Sequence, residues 1–534
     1  MPKPAIIFQP DVQNAFQRGI NQIVDAVTPT LGPLSRNVSI ERNFPGQAPE
    51  ILDNGGVIAR RIIELPDRSD NAGAMWIRHL LWRLHENTGD GTATAAIIFQ
   101  TVYNEGLRYL AAGGNAMQLR RELEQGLNVI LDMLDAMTLP VKTRTDIARL
   151  AEATSQVPEM AASLGEILDV IGPFGQLDIR TGRARGYEHH YVDGTYWKSG
   201  VFSDQMIRDK LLDRRTLTHA AVLISDLEIQ DPHDLVPLMR LAVRDDVNGL
   251  VIIAKKISDQ IKALIINNEK PGRFDIIAVK PLGSKAADQA SNLQDLAFLV
   301  GGRPLIQAAG DSLHTVQWED LGHARRAWAD SEYFGVVGGQ GDVPVLRQQI
   351  ERLQRIYHTS TDLDERKDIQ RRVGRLLGGS AVLRVAGITK AESTMRKDLA
   401  ERTAAGLRGA LLEGALPGGG TALLACQQKL QGTHGNTPEA IAANRILCRA
   451  LRAPAQAILE NAGYDPGEIL AQINGSGEGF DVVRGKIVNM KEAGILDSAM
   501  VIKAAARTAI TSAALALTTD VLIQQRQPPQ STAP

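Results

Sequence analysis

Two glycine-rich segments more than three hundred residues apart, Gly89-Asp90-Gly91-Thr92-Ala93-Thr94 and Gly418-Gly419-Gly420-Thr421, each stand where a loop opens into an apolar helical pattern. Glycine lets a backbone approach an anion closely, and the amides at a helix start attract negative charge. The hydroxyls of Thr92 and Thr94 can donate to phosphate oxygens, while Asp90 offers a hard oxygen ligand suited to Mg²⁺ held between protein and phosphates. Taken singly, either segment is equally well an ordinary helix start or a loop. Taken together, they imply a phosphate cradle built from both ends of the chain, with everything between them inserted.

Composition bounds the rest. A chain of 534 residues is too long for one core and implies roughly three or four domains. Apolar residues make up 44%, charged residues 22%, and the net charge is -2 without basic runs, which argues against binding to nucleic acid or to an acidic membrane surface. The two cysteines, Cys426 and Cys448, lie in helical apolar patterns and read as structural thiols. No secretory leader pattern is evident at the N-terminus, and no apolar stretch approaches the ~18 residues of a membrane span. A cytoplasmic protein is expected.

Periodicity places a short strand at Ala5 to Phe8, a helix at Val12 to Val27, a turn at Thr30-Leu31-Gly32-Pro33, and a hairpin from Val38–Ile40 and Glu50–Leu52. Helices follow near Asn54–Ile63, Asn71–Asn87, Thr92–Ala112 and Ala116–Ala136, with more up to Ile171. Between Ala220 and Ile306, β-branched runs at Ala221–Ser225, Leu250–Ala254 and Asp275–Val279 alternate with amphipathic segments, which is an α/β pattern. A charged helical hairpin spans Val343–His358 and Leu363–Leu377, Ala381–Val385 is a strand, and helices are expected from Ala391 to Leu522. The order helical, mixed, α/β, mixed, helical implies nested insertions. Gly194, Gly378 and Gly379 fall at the inner crossings and are hinge candidates, or ordinary turn glycines.

Other nucleotide or metal signatures are missing. There is no G-x-x-x-x-G-K-[ST] loop, no G-x-G-x-x-G after a strand, and no metal-hydrolase spacing. Gly338-Gly339-Gln340-Gly341 reads as a turn, and His189-His190 on one strand would point to opposite faces. In the α/β region two helices carry an extra apolar stripe: Val236, Met239 and Val243 on one, and Ile261, Leu264, Ile265 and Ile266 over more than one face of the other. Either both sides are core, or an apolar groove is left for other proteins.

Together these segments resemble the group I chaperonins, the GroEL type, along nearly the whole chain. The resemblance rests on Thr30-Leu31-Gly32-Pro33 with Arg36-Asn37-Val38, Gly89-Asp90-Gly91-Thr92, Gly378-Gly379, Gly418-Gly419-Gly420, and Gly494-Ile495-Leu496-Asp497 before a helix ending at Thr518-Thr519-Asp520. It implies a multidomain α and α/β fold: a helical equatorial domain from both termini (1–136 and 413–525), a small α+β intermediate domain (137–193 and 379–412), an inserted α/β apical domain (194–378) and a disordered tail (526–534). It also implies an ATP- and Mg²⁺-dependent chaperone that forms rings, encloses non-native proteins, and works with a GroES-type co-chaperonin. Thr30, Leu31, Gly32 and Pro33 would lie along the nucleotide, Asp90 would bind Mg²⁺, and Gly91, Thr92 and Thr94 would hold phosphate. Gly419, Asp481 and Asp497 would face base and ribose, and Val236, Met239, Ile261, Leu264, Ile265 and Ile266 would form the surface for substrate and lid.

Departures from the family pattern bear on catalysis. Counting back from Gly414, Arg402 stands where the family carries the aspartate that positions the attacking water, with Glu401 beside it. A second family aspartate aligns with Gly55, although Asp53 is two residues away. Asp53 or Glu401 are the possible substitutes, because an arginine does not lose its proton and cannot act as a general base. Three functions follow: a cycling chaperonin, a nucleotide-binding paralogue that hydrolyses slowly and assembles alone or in mixed rings, and a binding scaffold without nucleotide control.

Overall fold

The computed structural model describes residues 5–42, 49–182, 186–207, 214–242, 249–267, 275–283, 285–360, 362–432, 437–473 and 477–524. Val243 and the tail 526–534 therefore lie outside the described residues. The chain divides into two compact units, one of Met1–Asp169, Thr181–Tyr187 and Val385–Pro534, the other of Val170–Arg180 and Glu188–Arg384.

The first unit is helical and draws its core from both ends of the chain. Helices Asp11–Val27, Arg68–Thr88, Thr92–Ala111 and Ala116–Met137 pack with Pro438–Asn461 and Ala499–Ala516. Ile20, Leu81, Ile98, Leu119, Leu451 and Ile510 are fully buried where they meet. The first and second of these helices come unusually close, since a Cβ on Gly19 would lie 1.8 Å from the carbonyl oxygen of Asp70. Small residues at the crossing thus set the separation of the two axes.

Two expectations for this unit are corrected. Helix does not run on to Leu522: Val521–Gln524 is a strand, antiparallel to Ala5–Phe8, with Ile6 opposite Ile523 and Phe8 opposite Val521. Further strands at Ala415–Pro417, Glu478–Asp481, Lys486–Asn489 and Leu496–Ser498 also interrupt that stretch. Ala499–Ala516 is apolar and long enough to cross a membrane, contrary to the expectation that no segment would be. Its apolarity comes from small alanines, and Ala505, Ala506, Ala509 and Ala513 are fully buried in the core.

The second unit holds a six-stranded mixed sheet in the order Asp275–Val279, Gly249–Ile253, Arg215–Ile224, Gly322–Ala329, Phe334–Gly339, Thr195–Trp197. The first three strands are parallel and the rest antiparallel. Gly338 and Gly339 close a strand rather than form a turn, and a helix, Val343–Thr359, begins four residues later. Helix Asp259–Asn267 lays Ile261 and Ile265 into the core, so these two are not surface residues; Leu264 and Ile266 are half-buried beside it. Positions four apart share one helical face, which assigns 261 and 265 together. On Leu235–Ala242, Leu235 and Leu238 are buried, Met239 is half-buried and Val236 is exposed.

Gly194, Gly378 and Gly379 all lie within this second unit. At Gly194 glycine is demanded by packing as well as by its φ of 79°, since a Cβ would sit 2.0 Å from the Val336 carbonyl oxygen.

Candidate functional site

The first glycine-rich segment joins two helices of the first unit. Gly89, in the left-handed region, ends Arg68–Thr88, and Gly91, also left-handed, opens Thr92–Ala111 without any side-chain cap. Asp90 bends back so that its Oδ1 accepts from the Gly91 amide at 2.7 Å. The second segment is built alike: Gly420 opens Thr421–Gln431, again with no side-chain cap. It is tethered by Gly418 N–H donating to Ile495 at 2.9 Å, and the preceding strand Ala415–Pro417 pairs Leu416 with Asp497. Two helix starts rich in donors, from distant parts of the chain, therefore open on one space.

That space is a cavity of about 820 Å³, within the range of small-molecule sites. The turn Thr30-Leu31-Gly32-Pro33 forms one wall, held by Asn461, whose Nδ2 donates to the carbonyls of Thr28 and Leu31 at 2.9 Å each. Asp90, Gly91, Thr92 and Thr94 form the floor, with Gly419 and Asp497 nearby in the lining. Pro454, Ile458, Phe480 and Met490 supply apolar surface of the kind a base or ring needs. Asp481 also lines the cavity, but its Oδ1 accepts from the amides of Val483 and Arg484 at 3.0 and 3.1 Å. Its charge is thus partly spent on the turn between two strands.

Asp497 is the most perturbed carboxyl of the site. Loss of solvent, and then the neighbouring charge of Asp90, push it up to about 7. Two acids facing a common space with this energetic conflict are a site where a cation is welcome. Asp90 and Asp497, with the Thr92 and Thr94 hydroxyls, can hold a magnesium-bound polyphosphate.

Arg402 and Asp53 also line the cavity and bond to each other, Arg402 Nη2 donating to Asp53 Oδ2 at 2.9 Å. Gly55 is in the lining too; a Cβ there would lie 3.1 Å from Thr92 Oγ1. Glu401 is different. It is not in the lining, is half exposed, and pairs with Lys397 on its own helix, so it drops out as a substitute carboxylate.

Several residues of the site went unnoticed in the sequence. Arg149 and Glu152 of helix Arg144–Ser155 and Gln156 just after it reach the cavity, Gln156 in the left-handed region at φ 56°. Nothing in their local pattern marks them. Asp398, one turn before Arg402, stays outside the lining; partial desolvation pushes its carboxyl up while Arg402 and Lys397 draw it down. The candidate surface residues Val236, Met239, Ile261, Leu264, Ile265 and Ile266 belong to the second unit and take no part in the cavity. Among the described residues no cluster of three or more metal-ligating side chains exists, and Cys426 and Cys448 are free thiols, the first buried.

A model of the TCP-1/cpn60 chaperonin family matches residues 23–527, and the chain belongs to that family. It is thus a protein of chaperonin type. The fold is similar to that of the chaperonin gp146 from the bacteriophage EL 2 (Pseudomonas aeruginosa), crystallised in the presence of ATP-BeFx. The match has a TM-score of 0.75 at 18% identity and covers 98% of this chain and 99% of that one. A second crystal form of the same phage protein matches with a TM-score of 0.67 at the same identity and coverage.

Proposed function

We propose that this protein is an ATP- and Mg²⁺-binding chaperonin that assembles into rings and binds non-native proteins. The observation that carries the reading is the convergence of two uncapped helix starts and Asp90 on one cavity of about 820 Å³. Thr30 to Pro33, Gly91, Thr92, Thr94, Gly419, Asp481 and Asp497 would contact the nucleotide, and Asp90 the magnesium. The crystals of the phage relative, grown with ATP-BeFx, agree with this.

Ring assembly has its own support. The outer face of the strand pair Ala5–Phe8 and Val521–Gln524 is apolar and open, with Ile6, Phe8, Val521 and Ile523 between 40% and 63% exposed. Open apolar strands need a partner, and a second copy of the chain supplies one. Ile6→Asp with Ile523→Asp should reduce the particle to monomers in sedimentation. A ring that survives both changes rejects this contact.

The equatorial, intermediate and apical division remains our reading of the chain, with Gly194, Gly378 and Gly379 as hinges. Val236 and the accessible parts of Met239, Leu264 and Ile266 are the apolar surface for unfolded polypeptide and for a GroES-type lid. A cytoplasmic setting fits the two free thiols.

A second reading, slow or absent hydrolysis, is favoured by the Arg402–Asp53 bond: the residue aligned with the family's aspartate is a cation, and it pairs with one of the possible substitute carboxylates. Such a subunit could serve in mixed rings with another chaperonin. Purified protein decides between the two by ATP binding and steady-state phosphate release. Turnover that Asp90→Ala abolishes supports cycling; binding without turnover supports the second reading, and then Arg402→Asp should raise the rate. Absence of any binding at millimolar ATP with magnesium rejects both.

A further inference from the structure

The pairing of Arg402 is incomplete. Its helix, Lys390–Glu413, lies directly against the first glycine-rich segment, since a Cβ on Gly89 would sit 3.3 Å from the Arg402 Cα. Arg402 thus lines the same cavity as Gly91, Thr92 and Thr94, from a helix packed against the loop that opens Thr92–Ala111. Of its five donors, one, on Nη2, reaches Asp53 Oδ2 at 2.9 Å, and the Nε–H is buried with no acceptor. A well-satisfied arginine–carboxylate pair is bidentate, and this one is end-on. Its two members are also unequal in burial: the Arg402 side chain is 18% exposed and that of Asp53 42%. An end-on pair with one partner in water is readily exchanged.

We infer that Arg402 exchanges Asp53 for the terminal phosphoryl group of a bound nucleoside triphosphate and so makes this site discriminate tri- from diphosphate. The inference rests on the nucleotide reading above. A phosphoryl group presents several acceptor oxygens in the geometry a guanidinium fork matches, and it can take the Nε–H that has no acceptor at present. No bond is made or broken in this step. The arginine remains protonated, contributes charge alone, and leaves the Asp53 carboxylate free while the triphosphate is bound. A diphosphate, ending one phosphoryl group short, leaves Arg402 on Asp53.

The test compares ADP with a non-hydrolysable ATP analogue, both with magnesium, by calorimetric titration of the full-length protein. Arg402→Ala should weaken the triphosphate analogue by roughly 10- to 100-fold, the size of a charge-assisted hydrogen bond, and change ADP by no more than about twofold. Arg402→Lys, which keeps the charge but loses the fork, should fall between. Asp53→Asn, which releases the arginine in advance, should tighten the triphosphate analogue and leave ADP alone. Retained ADP affinity shows in each case that the site is folded. Equal losses for the two nucleotides, or none, overturn the inference while leaving nucleotide binding intact. If the unmutated protein binds neither nucleotide, the reading of the cavity fails first.

Discussion

The charge state of Asp497 should make the stability of this protein depend on pH in the direction opposite to most carboxylates. Its carboxyl is raised from 3.8 to about 7 by desolvation and by Asp90. Between those values the folded protein keeps a proton that the unfolded chain has already released. Stability from this group is therefore complete in acid, below about pH 4, and is lost as pH rises through about 7, after which the profile is flat. A shift of this width corresponds to a ceiling of ~4 kcal/mol at 1.36 kcal/mol per unit. The side chain lines an open cavity and is only half-buried by surface area, so water screens it, and roughly 1–2 kcal/mol is expected. Hydrogen exchange of the amides in helix Ala499–Ala516, in the core of the same unit, measures the effect in protein freed of nucleotide and divalent ions. Protection, corrected for intrinsic rates, should fall by roughly 5- to 30-fold from pH 5 to pH 8 in the unmutated protein relative to Asp497→Asn. The variant should be the more stable of the two at pH 8. Identical profiles, or a variant that is weaker at pH 8, refute the reasoning.

Other substitutions probe the frame around the site. Gly19→Ala places a methyl 1.8 Å from the Asp70 carbonyl, so the helices must separate, and the melting of the first unit should drop by the equivalent of ~2–3 kcal/mol despite the better helix propensity of alanine. Gly91→Ala combines a φ of 81° with a methyl 2.7 Å from Val501 Cγ1, and nucleotide affinity by titration should fall at least ~10-fold. In the second unit Asp295 is fully buried and bidentate with Arg372 at 2.8 and 2.9 Å. Asp295→Ala strands that guanidinium, and should cost ~3–5 kcal/mol in denaturant titration followed through local hydrogen exchange, with exchange in Ala499–Ala516 unchanged.

How well each part could be read from the sequence follows the range of its physics. Helices such as Asp11–Val27 and Ala116–Met137 declare themselves through apolar residues at helical spacing, a signal contained within a few turns. The parallel strands Gly249–Ile253 and Asp275–Val279 are continuous β-branched runs and were equally plain. Gly322–Ala329 and Phe334–Gly339, rich in alanine, glycine and charge, carry no such signal. Val521–Gln524 reads as the continuation of a helix, and becomes a strand only when its partner, Ala5–Phe8, arrives from the other end of the chain. The double stripe on Asp259–Asn267 shows the same limit. Spacing marks two apolar faces, and only packing decides that Ile261 and Ile265 are the inner one.

By itself the sequence determined which residues could cradle a phosphate, since glycines before an uncapped helix and an acid among them carry that chemistry wherever they fold. It also pointed to one unit being inserted between the two ends of another. Only the tertiary structure decided which charges meet: that Arg402 finds Asp53 across 349 residues, that Glu401 turns away, and that Asp497, partly desolvated, comes close to the charge of Asp90. Ionic states depend on distance and solvent, and neither is written in the local order of residues.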